Sequence, residues 1–90
     1  MMVKTILEPR FDSKKSFYGK AYILNNAKED IKELYSYNTL VCKIIKNKVS
    51  LIALGYSMTT NRHIKEFLLQ FGFKADSKKQ MGEDYHNRVA

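Results

Sequence analysis

Between positions 57 and 63 the chain reads S-M-T-T-N-R-H, which gathers hydroxyls, an amide and two basic side chains at the start of a helical pattern. The free N–H groups of a first helical turn, with Ser57, Thr59, Thr60, Asn61, Arg62 and His63 around them, have the chemistry to hold a phosphate or a carboxylate. Thr59 or Thr60 can equally serve as an ordinary N-cap, so the hydroxyls alone require no ligand. Arg62 and His63 are different, because cations in a first turn oppose the positive end of the helix dipole. Both are expected on the polar side of the helix entrance, dispensable to the fold and facing an anionic partner.

A second group is built from tyrosines and lysines. Tyr18, Lys20 and Tyr22 alternate along one face of residues 17–24, and Tyr35, Tyr37 and Lys43 join them if the strand register permits. Aromatic rings interleaved with lysines can stack on unpaired bases while the lysines meet phosphates. Tyrosine is also a favoured strand residue that packs well across strands, and the chain has no ribonucleoprotein-type aromatic motif.

Catalytic and metal-binding patterns are missing. His63 and His86 lie 23 positions apart, Cys42 is the one cysteine, and HExxH, CxxC, P-loop and GxSxG do not occur. Glu83 and Asp84 read as solvated tail charge. The expectation is therefore a protein that is not an enzyme and holds no metal or cofactor. Cys42, among alternating apolar residues, is expected to be a buried small hydrophobe.

These residues need elements to position them. Residues 56–73, YSMTTNRHIKEFLLQFGF, predict the main helix: Ile64, Phe67, Leu68 and Phe71 fall at i, i+3, i+4 and i+7 on one stripe. Gly72 supplies a left-handed closing residue, after which Phe73 folds back onto Leu68. Upstream, residues 1–16 predict a short strand or extended arm ending in a turn, followed by a strand over 17–24 and a loop over 25–30. Residues 31–37 predict the next strand, with an N-terminal half that also suits a helical turn. TLVCKIIK and KVSLIAL predict a hairpin broken at Asn47 and Lys48. In the tail, Ser77 and Gln80 have capping-box spacing and Met81 and Tyr85 share a helical face, which suits a short second helix or a frayed tail. The fold class is α+β: a three- or four-stranded antiparallel sheet packed by one main C-terminal helix.

Ninety residues make one domain, residues 1–90, with the arm (1–16) and the polar tail (74–90) as its flexible candidates. Hydrophobic residues at 44% and charged residues at 28% suit a folded chain. No apolar run approaches the roughly 20 residues that span a bilayer, and no signal peptide is legible, so a cytoplasmic protein without membrane contact is expected. A net charge of +7 favours polyanionic or acidic partners. Residues 1–60 hold ten basic and five acidic groups and residues 61–90 hold six and four, so neither part is a polybasic tail.

The phrases RFDSKKSFYGKAY, LYSYNTLVCKI and YSMTTNRHIKEFLLQFGFKA resemble a family of small proteins carried by phages and prophages of Gram-positive bacteria. Its pattern RFDSxxSFYGKAY, SYxT and YSxTTxRHIxEFL corresponds here to residues 10–22, 36–39 and 56–68. The resemblance brings no catalytic motif. It implies a phage protein that acts by binding, as inhibitors of CRISPR nucleases do. The expected function is stoichiometric inhibition of a host nucleoprotein defence complex in the bacterial cytosol. The alternative is a phage DNA- or RNA-binding accessory or regulatory protein. A homodimer through the sheet edge is compatible with either.

Overall fold

Three pairs of consecutive residues with positive φ divide the first half of the chain: Tyr18 (55°) with Gly19 (72°), Tyr37 (51°) with Asn38 (64°), and Lys46 (49°) with Asn47 (65°). Left-handed backbone at both central residues is the geometry of the type I′ turn, whose twist matches that of the strands it joins. In the computed structural model, which describes residues 2–52 and 56–86, the strands are β1 (Val3–Ile6), β2 (Ala21–Asn26), β3 (Ile31–Ser36), β4 (Thr39–Ile45) and β5 (Lys48–Leu51). They form one antiparallel meander in chain order. Tyr37–Asn38 joins β3 to β4, and Lys46–Asn47 joins β4 to β5.

The α+β expectation holds, but the sheet has five strands rather than three or four. The arm supplies the extra one, because Val3, Lys4, Thr5 and Ile6 pair with Asn25, Leu24, Ile23 and Tyr22. Strand β2 starts at Ala21 instead of 17 because the Tyr18–Gly19 turn, closed by Lys20 N–H to Phe17 C=O at 3.0 Å, reverses the chain first. Asn25 and Asn26 are paired strand residues, so the loop expected over 25–30 shrinks to four residues. Lys48 belongs to β5, so the turn falls at Lys46 and Asn47, one position before the break expected at Asn47 and Lys48. The expected continuation of that strand through 53 and 54, and its end at Gly55, lie outside the described residues.

Strand alternation gives the sheet one covered and one open face. Ala21, Ile23, Leu34, Ser36, Cys42, Ile44 and Leu51 are buried on the covered face. A register shift between Leu34 and Tyr35 leaves Val41 as an extra buried residue and sets Leu40 opposite Tyr35. Helix α1 (Met58–Gln70) crosses the covered face, burying Ile64, Phe67 and Leu68.

The helix is shorter at both ends than the predicted 56–73. Ser57, not Thr59 or Thr60, is its N-cap: the Ser57 hydroxyl accepts the Thr60 N–H at 3.2 Å. The C-terminus closes as expected on Gly72 (φ 84°), with Gly72 N–H to Leu69 C=O at 3.1 Å and Phe73 N–H to Leu68 C=O at 2.9 Å. Phe71 departs from the buried stripe. It is the C-cap, 38% exposed, and lies edge-on to Phe67 under the Lys32 ammonium.

The tail carries the second helix, α2 (Lys78–Tyr85), capped by Ser77, which accepts the Gln80 N–H at 3.1 Å. The Gln80 side chain reaches back one residue further than a capping box, accepting the Asp76 N–H at 2.7 Å. Met81 is buried, Tyr85 donates to the Lys74 carbonyl, and His86 bridges Leu51, so α2 closes on the β5 end of the sheet. No helix among the described residues is long and apolar enough to cross a membrane.

Candidate functional site

His63 does not project from the polar side of the helix. It is 1% exposed, its ring meets Phe17 edge-on at 4.6 Å and Tyr37 at 5.9 Å, and its Nδ1 shares a 2.8 Å hydrogen bond with the buried Ser36 hydroxyl. Ser36 also meets the Thr60 hydroxyl at 3.1 Å. The physical reason is the helical period. Thr60 and His63 continue the stripe of Ile64, Phe67 and Leu68 backwards by one turn, so they enter the core and satisfy each other's polar atoms through Ser36. Counting only apolar residues misses this extension. Burial pushes the His63 pKa below its ordinary value, with the Asp12 carboxylate opposing the shift. The imidazole is therefore neutral at pH 7, and the expected cation is absent from the helix entrance.

Arg62 remains a surface cation, but the fold has already given it an anion. Its guanidinium donates to Asp12 Oδ1 at 3.1 Å. Asp12 belongs to a segment that straps across α1. The Phe11 and Asp12 N–H groups donate to Glu66 Oε1 at 2.9 and 3.0 Å, and the Gln70 side chain binds both Glu66 Oε2 and the Glu8 carbonyl at 2.7 Å. Glu66 is buried and serves as the acceptor for this strap. Sequence reasoning passes over it as one more helix carboxylate. Its signal is the spacing 62, 66 and 70, which lines one helical face flanking the core.

The two sequence-derived groups come together only in part. Tyr22, Tyr35 and Lys43 lie on the open sheet face, where the two tyrosine rings stack at 5.1 Å and 3° and Lys4 stands 4.4 Å over Tyr22. Tyr18, Lys20 and Tyr37 leave that set because the type I′ turns rotate them to the other side. There they meet the helix entrance. A cavity of ≈ 240 Å³ is lined by Lys14, Ser16, Phe17, Tyr18, Lys20, Tyr37, Thr59, Arg62 and His63. Ser57 lies before it as the cap, Thr60 is engaged with Ser36, and Asn61 donates back to the Tyr56 carbonyl at 2.9 Å.

The electrostatics of this cavity are one-sided. Lys14, Lys20 and Arg62 contribute three cations, and among the described residues no carboxylate lines the wall. Ser16 holds the turn by accepting the Tyr18 N–H at 2.9 Å and keeps its own hydroxyl proton to donate. Tyr18 and Tyr37 each occupy the first position of their turn, where glycine, asparagine or aspartate normally sits, at a cost on the order of 1 kcal/mol each. Tyr18 is nevertheless 81% exposed and Tyr37 52% exposed, so burial does not offset that cost.

Ser36 is buried beneath His63, and among the described residues no carboxylate is hydrogen-bonded to the imidazole. Cys42 is buried, with its thiol pushed up to about 12 by desolvation. Among the described residues no cluster of His, Cys, Asp or Glu could hold a metal ion.

No curated protein and no solved structure matches the chain. A family match covers residues 5–83, a span holding all five strands apart from the first two residues of β1, all of α1 and every residue that lines the basic cavity. The chain belongs to that family, the family of unknown function DUF8033.

Proposed function

We propose that this chain is a non-enzymatic, phage-encoded binding protein that inhibits a host nucleoprotein defence complex stoichiometrically, by seating an anionic group of that complex in the basic cavity. The observation that carries the reading is the convergence of Lys14, Lys20 and Arg62 from the strap, the β2 turn and α1 on one cavity without a lining carboxylate. With Arg62 already paired to Asp12, Lys14 and Lys20 leave a surplus of positive charge at the cavity that an anion would offset. The buried, acid-free Ser36–His63 pair favours binding over turnover. The phage setting and the inhibitor role rest on the sequence resemblance, and the site of action is then the host cytosol.

A pulldown from host lysate, with and without nuclease treatment, tests this. Host protein retained after nuclease, and released by Lys14→Ala combined with Lys20→Ala, is the expected result. Loss of every partner on nuclease treatment would instead support the second reading, an accessory protein that binds DNA or RNA directly. That reading draws on the open sheet face, where the stacked Tyr22 and Tyr35 lie beside a row that runs from Lys4 through Leu24 and Glu33 to Lys43. An enzymatic turnover of the bound complex would sink both.

A further inference from the structure

Four of the nine residues that line the basic cavity carry rings, and the cations alone do not explain that. Tyr18 and Tyr37 arrive from two type I′ turns, one before β2 and one between β3 and β4, which Tyr37 N–H to Lys20 C=O at 2.8 Å holds side by side. Each sits in left-handed backbone that disfavours bulky side chains; Tyr18 is 81% exposed and Tyr37 about half exposed beside the His63 ring. Both rings line the same cavity as the three cations. A strained, exposed aromatic residue points to work for its ring outside the fold, and here two sit on one rim.

The size of the cavity narrows the ligand. At about 30 Å³ per water, ≈ 240 Å³ corresponds to roughly eight waters, more than a bare phosphate or carboxylate fills. It is also below the roughly 300–1,000 Å³ of sites that enclose a drug-sized molecule. A compact anion carrying one planar ring fits both limits. His63 also lines the cavity, with its Nδ1 engaged by Ser36.

We infer that the cavity is a single-nucleotide site, in which Lys14, Lys20 and Arg62 hold a phosphate group and the Tyr18 and Tyr37 rings stack on the attached base. Arg62 turns to the phosphate with Asp12 still at its other side, which leaves a local surplus of two positive charges for the one phosphate group. Base stacking on tyrosine tolerates every base, so the site reads no sequence. The inference rests on the anionic-partner reading above and specifies its ligand: the anion is a nucleotide phosphate, supplied free or within a nucleic-acid strand.

The test is a titration of the full chain with adenosine 5′-monophosphate, inorganic phosphate, glutarate and a single-stranded tetranucleotide, followed through the backbone amide signals of Tyr18, Lys20, Tyr37 and Thr59. Adenosine 5′-monophosphate is expected to shift these signals and to bind at least about tenfold more tightly than inorganic phosphate, the scale of one base–aromatic stack. Tyr18→Asn with Tyr37→Asn is expected to erase that tenfold difference while leaving the melting temperature equal or higher, since asparagine suits the first position of the turn. Lys14→Gln with Lys20→Gln is expected to weaken both phosphate ligands. Tighter binding of the tetranucleotide than of the mononucleotide identifies a strand as the source, and the reverse order identifies a free nucleotide. Equal affinity for phosphate and nucleotide overturns the single-nucleotide site. Binding of glutarate alone overturns it too but leaves the anionic-partner reading standing, and no binding by any of the four probes removes both.

Discussion

At His63 the environment selects the uncharged ring, and the sign of the resulting pH dependence follows. Its pKa is lowered in the fold relative to the ordinary 6.5, so below that pH the unfolded chain binds the proton more readily. The stabilisation is complete above about 6.5 and is lost as pH falls through the folded-state value. Urea midpoints are expected to drop between pH 7.5 and 5.5, and His63→Gln is expected to flatten that drop. An equal slope in the variant would locate the proton elsewhere. Ser36→Ala removes the partner of a buried imidazole nitrogen and should cost about 1–3 kcal/mol. Arg62→Ala removes a half-exposed ion pair worth about 0–1 kcal/mol and should hardly move the thermal melt. A larger loss for Arg62→Ala than for Ser36→Ala would reverse these two assignments. Two neighbouring residues with similar side-chain chemistry thus have opposite roles, one in the core and one at the surface.

At the scale of elements, α1 holds the molecule together through two of its faces and its C-terminus. Its core face is anchored by Phe67, fully buried between the sheet and Phe71, and Phe67→Ala should cost about 3–5 kcal/mol. That is a large share of the stability of a domain this small, so cooperative unfolding at low denaturant is the expected outcome. Its flanking face holds the strap through Glu66. Glu66→Ala should release the Phe11 and Asp12 amides to fast hydrogen exchange while the β3 and β4 amides keep their protection. Uniform loss of protection would mean that Glu66 supports the whole core. At its C-terminus, a methyl group at Gly72 meets nothing within 4 Å, so the cost of Gly72→Ala is conformational only. About 1–2 kcal/mol is expected from the φ of 84°, read from the melt.

For the whole molecule, the net charge of +7 makes salt dependence the broadest discriminator between its two surfaces. If the cavity alone meets a single strand at its one phosphate, log affinity should fall with log salt at a slope of about −0.7. A slope of about −2 would require the open-face lysines Lys4 and Lys43 as well, and would favour the direct nucleic-acid reading. The sequence by itself determined what local rules control: the α+β class, the helix with its glycine stop, the strand alternation, the inert cysteine, and the presence of cations around position 62. Those features depend on the helical and strand periods and on turn chemistry within a few residues. It also contained the extension of the buried stripe to Thr60 and His63, which was legible once polar residues were counted in the period. Only the tertiary structure decided that the arm is a fifth strand, that Asp12 and Glu66 meet across more than fifty residues of chain, and that tyrosines from two turns rim the cavity at the start of α1. Pairing partners and cavity walls are set by which distant segments bury each other, a property of the packed chain that no local spacing encodes.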